Sequence, residues 1–211
     1  RPESKLELQR EFLEKLITIL GYTFSFQIKE LDDDTYIPVL SEITRHSGAP
    51  ELWIVEALDS TGENISPLDL PLVDYQYNGG SANTAYNLPE GNFEEIVSSQ
   101  VFAKTEPPRW IILINHSQFI LIDRTKWNQK CLLRFDLSEI FGRRETTTFQ
   151  ATAALLHRES ICPSDGLCLL DTLDENSHKH AFAVSENLKY ALRRSIEMLG
   201  NETIYYMREI L

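Results

Sequence analysis

One short run, Glu51-Leu-Trp-Ile-Val-Glu-Ala-Leu-Asp59, constrains the fold of this chain more than any other stretch. Gly48-Ala49-Pro50 leads into it and Ser60-Thr61-Gly62 follows. An apolar run of that length between turn residues predicts a central strand buried on both faces. A carboxylate, Glu56, sits inside it. Burying a charge is costly unless it is paired, coordinated or turned to a cleft, so Glu56 is the first candidate for a functional side chain.

The flanking segments supply the rest of a sheet. Ser4-Lys5-Leu6-Glu7 reads as a capping box, and Leu6, Phe12, Leu13, Leu16, Ile17 and Leu20 then recur at helical spacing up to Gly21. Phe12 and Leu16 are expected to pack this helix on the sheet, with Glu7, Glu11 and Glu14 on its solvated side. Tyr22–Leu31 and Tyr36–Arg45 read as two strands around the turn Asp32-Asp33-Asp34. Pro38 places the second of them at an edge or a bulge.

Residues 60–92 are a long excursion rich in Pro, Asn, Gly, Asp and Ser, centred on Asn78-Gly79-Gly80-Ser81. Tyr75, Tyr77 and Tyr86 within it either stack on bases or pin the loop to the body. Asn92–Lys104 is then a helix with Phe93, Ile96, Val97 and Val101 on one side. Trp110–Ile114 and Phe119–Asp123 form a hairpin-type pair, and Leu132–Leu137 is a further strand.

From Ser138 the periodicity is helical. Thr146–His157 is one helix, and Leu167–Leu173 begins another that breaks at Asp174–His180. Ser185 to Leu199 is a third, closed by Gly200, and Asn201 starts the last. The order predicts a mixed α/β domain over 1–137 and a helical connector over 138–211. The chain starts at Arg1 and stops within a helix, so a fragment of a longer protein is expected.

Charge narrows the partners. The net charge is −12. Residues 1–107 hold 7 Lys and Arg against 19 Asp and Glu, and residues 108–211 hold 13 against 13. Such a first half repels phosphate, so any DNA-facing surface is expected in the second half. Arg143-Arg144 is a compact basic pair there, either for phosphate or for ion pairs with Glu139 and Glu145. Lys179 and His180, in the polar run Asn176–His180, are the other DNA-facing candidates. Three cysteines without framework spacing fit a reducing, cytoplasmic setting. His157, Cys162, Cys168, His178 and His180 fit no zinc-finger spacing, and no metal site is assigned. No window is long and apolar enough to span a membrane.

The pattern of helix with Glu11, strand 36–44, strand 52–58 with Glu56, helix with Gln100 and closing strand pair resembles the nuclease-type domain of restriction–modification proteins. The run Leu133-Arg-Phe-Asp-Leu-Ser-Glu-Ile-Phe-Gly-Arg-Arg-Glu145 and the run Asp174–His180 look like the segment preceding the methyltransferase domain in large bacterial restriction–modification methylases. The resemblance implies a restriction-endonuclease-like mixed-sheet core and bacterial DNA defence against phage. It implies DNA engaged through the parent protein and a downstream methyltransferase domain as partner. It also implies S-adenosylmethionine in the parent, no cofactor in this stretch, and Mg²⁺ only if the nuclease is live.

The departures from the family are chemical. Pro38 or Val39 stands where the family has Asp, and Glu56-Ala57-Leu58 replaces Glu-x-Lys. A metal-assisted nuclease needs those groups to hold the metal and position water. Glu11, Glu56, Gln100 and Lys104 are therefore read as vestigial positions, with Glu56 expected within reach of Gln100 or Lys104. The stretch itself is expected to be a non-catalytic scaffold, while the parent methylates or cleaves DNA. The alternatives are an active metal-dependent endonuclease and a protein-interaction module without DNA contact.

Overall fold

The computed structural model describes residues 2–31, 34–59, 61–77 and 86–210, with residues 2, 3 and 199–210 described by their backbone alone. The expected Asp32-Asp33 turn and the Asn78–Ser81 stretch lie outside these. Two units are distinguished, Arg1–Ser164 and Asp165–Leu211. The sequence-based boundary at 137/138 lies earlier along the chain, so that three short helices after it fall in the first unit.

In the first unit, a five-stranded sheet runs in the order β3-β4-β5-β6-β7, with β3 at Ser41–Thr44, β4 at Pro50–Glu56, β5 at Trp110–Ile114, β6 at Gln118–Asp123 and β7 at Leu132–Asp136. Only β4 and β5 pair in parallel; the other neighbours are antiparallel. The mixed α/β class expected from the sequence is therefore present. A parallel pair needs a crossover. Residues 57–109 supply it, through α2 (Phe93–Ile96) and a π turn at Val97–Val101.

Local chemistry explains the crossover helix. Asn92 accepts from the Glu95 amide at 3.0 Å while Glu95 accepts from the Asn92 amide at 3.2 Å, a reciprocal cap. Phe93, Ile96, Val97 and Val101 are buried against Trp53, Val55, Ile111 and Leu113, the expected apolar side. Each fully buried side chain of this kind contributes about 1.5–3 kcal/mol.

Strand alternation puts Leu52, Ile54 and Glu56 on the opposite face of β4. That face is covered by α1 (Pro2–Ile19), whose Gln9 and Arg10 bond to Glu56. The buried stripe of α1 is Leu6, Gln9, Leu13, Ile17 and Leu20. Phe12 and Leu16 are only half-buried, so the helix is rotated from the expected contact. Glu7, Glu11 and Glu14 are exposed as expected. The helix already includes Pro2, so Ser4 and Glu7 lie within it rather than capping it. Gly21, at φ +85°, closes it.

Two further expectations change. The strand Tyr36–Arg45 breaks at Leu40. Its first part, β2 (Tyr36–Val39), pairs antiparallel with β1 (Gln27–Glu30) in a separate two-stranded sheet. Leu40 donates to the Ile54 carbonyl at 2.8 Å and accepts from the Ser25 amide at 2.8 Å, which hands the chain from one sheet to the other. Pro38, on an outer strand of that small sheet, needs no ladder donor, as expected. Leu137, expected as the last residue of a strand, instead opens α3 (Leu137–Arg143), capped by Asp136, which accepts from the Glu139 amide at 2.9 Å. Helices α4 (Thr146–Leu156) and α5 (Arg158–Ile161) follow.

The second unit holds α6, Leu169–Ile210, an unbroken helix of 42 residues. The breaks expected at Asp174–His180 and at Gly200 are absent. Lys179 pairs with Glu175 at 2.8 Å one turn away, so polar side chains expected to mark a loop instead brace the helix surface. No helix among the described residues is long and apolar enough to cross a membrane.

Candidate functional site

Glu56 ends β4, at the carboxyl end of the parallel pair. Its side chain is 2% exposed. Both carboxylate oxygens are engaged from α1: Gln9 Nε2 donates to Oε1 at 2.9 Å, and Arg10 Nε donates to Oε2 at 2.8 Å. Gln9 Nε2 also lies 3.3 Å from the Ala57 carbonyl oxygen. Arg10 has a second duty, donating from its terminal nitrogen to the Gln76 carbonyl at 2.5 Å. Gln76 in turn donates to the Glu56 carbonyl at 2.9 Å and accepts from the Val73 amide at 3.0 Å. The guanidinium rests 4.6 Å from the Phe26 ring centroid. One ion pair thus ties the first helix, the central strand and the long excursion together.

Burial pushes the Glu56 carboxyl above the usual carboxylate range; the Arg10 charge and the hydrogen bonds from Arg10 and Gln9 pull it only part of the way back. Three residues later the chain meets Asp59, also buried. Its carboxylate accepts from the Thr61 hydroxyl at 2.7 Å, the Thr61 and Gly62 amides at 2.9 Å and the Ile65 amide at 3.3 Å. Burial raises this carboxyl, but the four donors outweigh it and hold it below its ordinary value. Asp59 shapes the strand exit.

The other positions that the resemblance singles out do not gather at Glu56. Glu11 is exposed and pairs with Lys15 at 2.7 Å. Gln100 accepts weakly from the Thr35 hydroxyl at 3.5 Å, and Lys104 donates to the Glu30 carbonyl at 2.7 Å. The expected contact of Glu56 with Gln100 or Lys104 is therefore replaced by one with Gln9 and Arg10, because the strand alternation turns Glu56 to α1 and away from α2. Continuing the register Ser41↔Ile54 by two residues sets Val39 level with Glu56, and Val39 is fully buried among apolar neighbours. Leu58 is buried as well.

The proposed DNA-facing residues divide between the two units. Arg143 pairs with Glu139, and Arg144 ends α3 in the left-handed region at φ +54°. Lys179 and His180 are exposed on α6, where the expected interhelical loop does not exist. Among the described residues no group of three or more His, Cys, Asp and Glu is arranged to hold a metal ion. His157 Nδ1 instead caps α5 by accepting from the Glu159 amide at 3.2 Å. Tyr77 and Tyr86 stack at 5.5 Å, and the Tyr77 hydroxyl donates to the Tyr36 carbonyl, so these rings pin the excursion to the sheet.

Sequence reasoning missed Gln9, Arg10 and Gln76. A signal for Gln9 was present: it occupies a position on the helical stripe Leu6, Gln9, Leu13, Ile17, Leu20, where a polar residue needs a buried partner. Nothing in the sequence marks Gln76. Comparison with family models, with curated proteins and with solved structures finds no match for the chain.

Proposed function

We propose that the first unit is a non-catalytic, restriction-nuclease-like scaffold, and that the chain serves as a module of a cytoplasmic bacterial restriction–modification DNA methylase used against phage. The observation that carries this reading is the occupancy of Glu56. At the position where a metal-dependent nuclease of this pattern holds its cation, both oxygens of the carboxylate are committed to Gln9 and Arg10. A guanidinium supplies positive charge without supplying a water to activate. The residues that would complete a metal site, at Val39 and Leu58, are apolar and buried. On this reading S-adenosylmethionine and the methyl transfer belong to a downstream domain of the parent, and DNA is engaged through that parent. Arg143, Arg144, Lys179 and His180 are the DNA-facing candidates of the stretch.

Incubation of the 211-residue chain with plasmid DNA and Mg²⁺ or Mn²⁺ tests the reading. The expected result is intact DNA. Cleavage that Glu56→Gln abolishes, with the thermal melt unchanged, would establish the active endonuclease in its place.

A second reading, a protein-interaction module without DNA contact, is favoured by one observation. Val184, Leu188, Leu192, Ile196 and Met198 on α6 are 60–68% exposed, and they fall on neighbouring faces of the helix. DNA binding by the chain in a salt titration separates this reading from the first.

A further inference from the structure

Every residue of α6 from Glu175 to Met198 is exposed. A helix in water draws most of its stability from packing an apolar face, not from propensity. α6 carries such a face. Leu173, Ser177, Ala181, Val184, Leu188 and Leu192 recur at intervals of four, four, three, four and four residues, which is one stripe down the helix. The four larger side chains are 47–68% exposed.

The spacing of this stripe reads the same from either end, with its midpoint between Phe182 and Ala183. The charges beside it run in one direction. Asp174 and Glu175 lie along one side of the stripe near its start. Lys189 and Arg193 lie along the same side near its end, with Glu175 and Arg193 about five full turns apart. These groups make ion pairs within the helix: Asp174 with His178 at 3.8 Å, Glu175 with Lys179 at 2.8 Å, Lys189 with Glu186 at 2.9 Å and Arg193 with Glu197 at 3.2 Å. Surface pairs of this kind exchange partners at little cost.

We propose that α6 pairs antiparallel with α6 of a second copy of the chain, about a two-fold axis level with the midpoint of the stripe. That axis sets Leu173 of one copy against Leu192 of the other, Ser177 against Leu188 and Ala181 against Val184, so the smaller residues of the stripe meet larger ones. It also brings Asp174 and Glu175 of each copy level with Lys189 of the other and within a turn of Arg193, and it does so at both ends. A parallel pair would set the same charges beside Asn176 and Asn187, with no opposite charge to meet. Charges at the edge of a helix seam select partner and orientation in this way. The inference rests on the α6 face that favours the protein-interaction reading, and it holds whether or not the chain contacts DNA.

Sedimentation equilibrium of the 211-residue chain from micromolar to near-millimolar concentration tests it. A reversible monomer–dimer equilibrium is expected, because a seam about 30 Å long and one helix face wide is small beside a permanent interface. Leu188→Glu places a charge in the seam and should weaken the dimer about tenfold or more. Lys189→Glu with Arg193→Glu should weaken it about as much, and adding Asp174→Lys and Glu175→Lys to the same chain should restore it. Lys179→Glu, on the far side of the helix, breaks an intrahelical pair of the same kind and should leave association unchanged. Helical circular dichroism is followed for each variant. A wild-type chain that stays monomeric throughout overturns the proposal. So does a dimer that Leu188→Glu leaves intact, or a four-residue charge exchange that keeps the helix and fails to restore association. DNA binding is not read out, so the salt titration decides the protein-interaction reading separately.

Discussion

Arg10→Met is the sharpest test of the Glu56 network. Methionine keeps much of the aliphatic stem and removes the charge. Glu56, with a side chain 2% exposed, is then a buried carboxylate without a cation. Removing one partner of a buried pair typically costs about 3–5 kcal/mol, most of it the penalty on the charge left behind. Loss of the Arg10 bond to the Gln76 carbonyl accounts for about 1 kcal/mol of that. With a urea slope of about 2 kcal/mol/M, the unfolding midpoint at pH 7 should fall by roughly 1.5–2.5 M. Adding Glu56→Gln to this background removes the stranded charge and should recover about 2–3 kcal/mol, leaving the Gln76 loss.

The pH dependence has a definite sign. Burial holds the folded carboxyl above the reference value of 4.5, and loss of Arg10 raises it further. The folded state then keeps its proton at pH values where the unfolded chain has released it, so stability falls as pH rises. The penalty of Arg10→Met should be small below pH 4.5 and grow towards neutrality. A penalty that is the same at both ends of this range would refute the argument. Failure of Glu56→Gln to restore any stability would refute it as well.

Three further outcomes follow from local geometry. Gly21→Ala places a methyl at φ +85° and 3.1 Å from the His157 ring, and should lower stability by about 1–2 kcal/mol in a thermal melt. Asn92→Ala removes the cap of α2 and should cost about 1 kcal/mol, measured by denaturant unfolding; Asn92→Asp should retain most of it. Gly200→Ala should stabilise α6 by about 1 kcal/mol and raise the helical circular dichroism signal, because Gly200 lies inside a continuous helix; a decrease would show that the helix ends there.

Much of the scaffold was legible because burial writes itself into short apolar runs. The runs Glu51–Asp59, Trp110–Ile114 and Phe119–Asp123 hold the strands Pro50–Glu56, Trp110–Ile114 and Gln118–Asp123, which are largely buried on both faces, and their edges are marked by turn residues. The break at Leu40 was not legible, since Ile37, Val39 and Leu40 alternate smoothly into Ser41 and only the partner strands change. The continuity of α6 was hidden by composition. Asn176, Ser177 and His178 are turn-prone in isolation, and the i,i+4 pairing of Glu175 with Lys179 compensates only once the helix exists. The partners of Glu56 were misplaced for a related reason. A family pattern of strand and helix order directs attention to Gln100 and Lys104, whereas pleat parity turns the side chain to α1.

The single parallel pairing in the sheet also sets an order of assembly. The antiparallel β5–β6 pair closes through three residues, Asn115-His116-Ser117, and β7 adds from the same side, so this meander forms from contacts near in sequence. β4 can join β5 only after the chain from 57 to 109 has been gathered in, and the entropy of that closure is lost before the strand contacts return it. The Arg10–Glu56 pair closes a comparable span from the other side. Conservative changes in Leu113 or Ile120 should therefore slow folding, while changes at Arg10 should act mainly on unfolding. In kinetic terms the ion pair is a latch on an already formed sheet, fastened late and the first to let go.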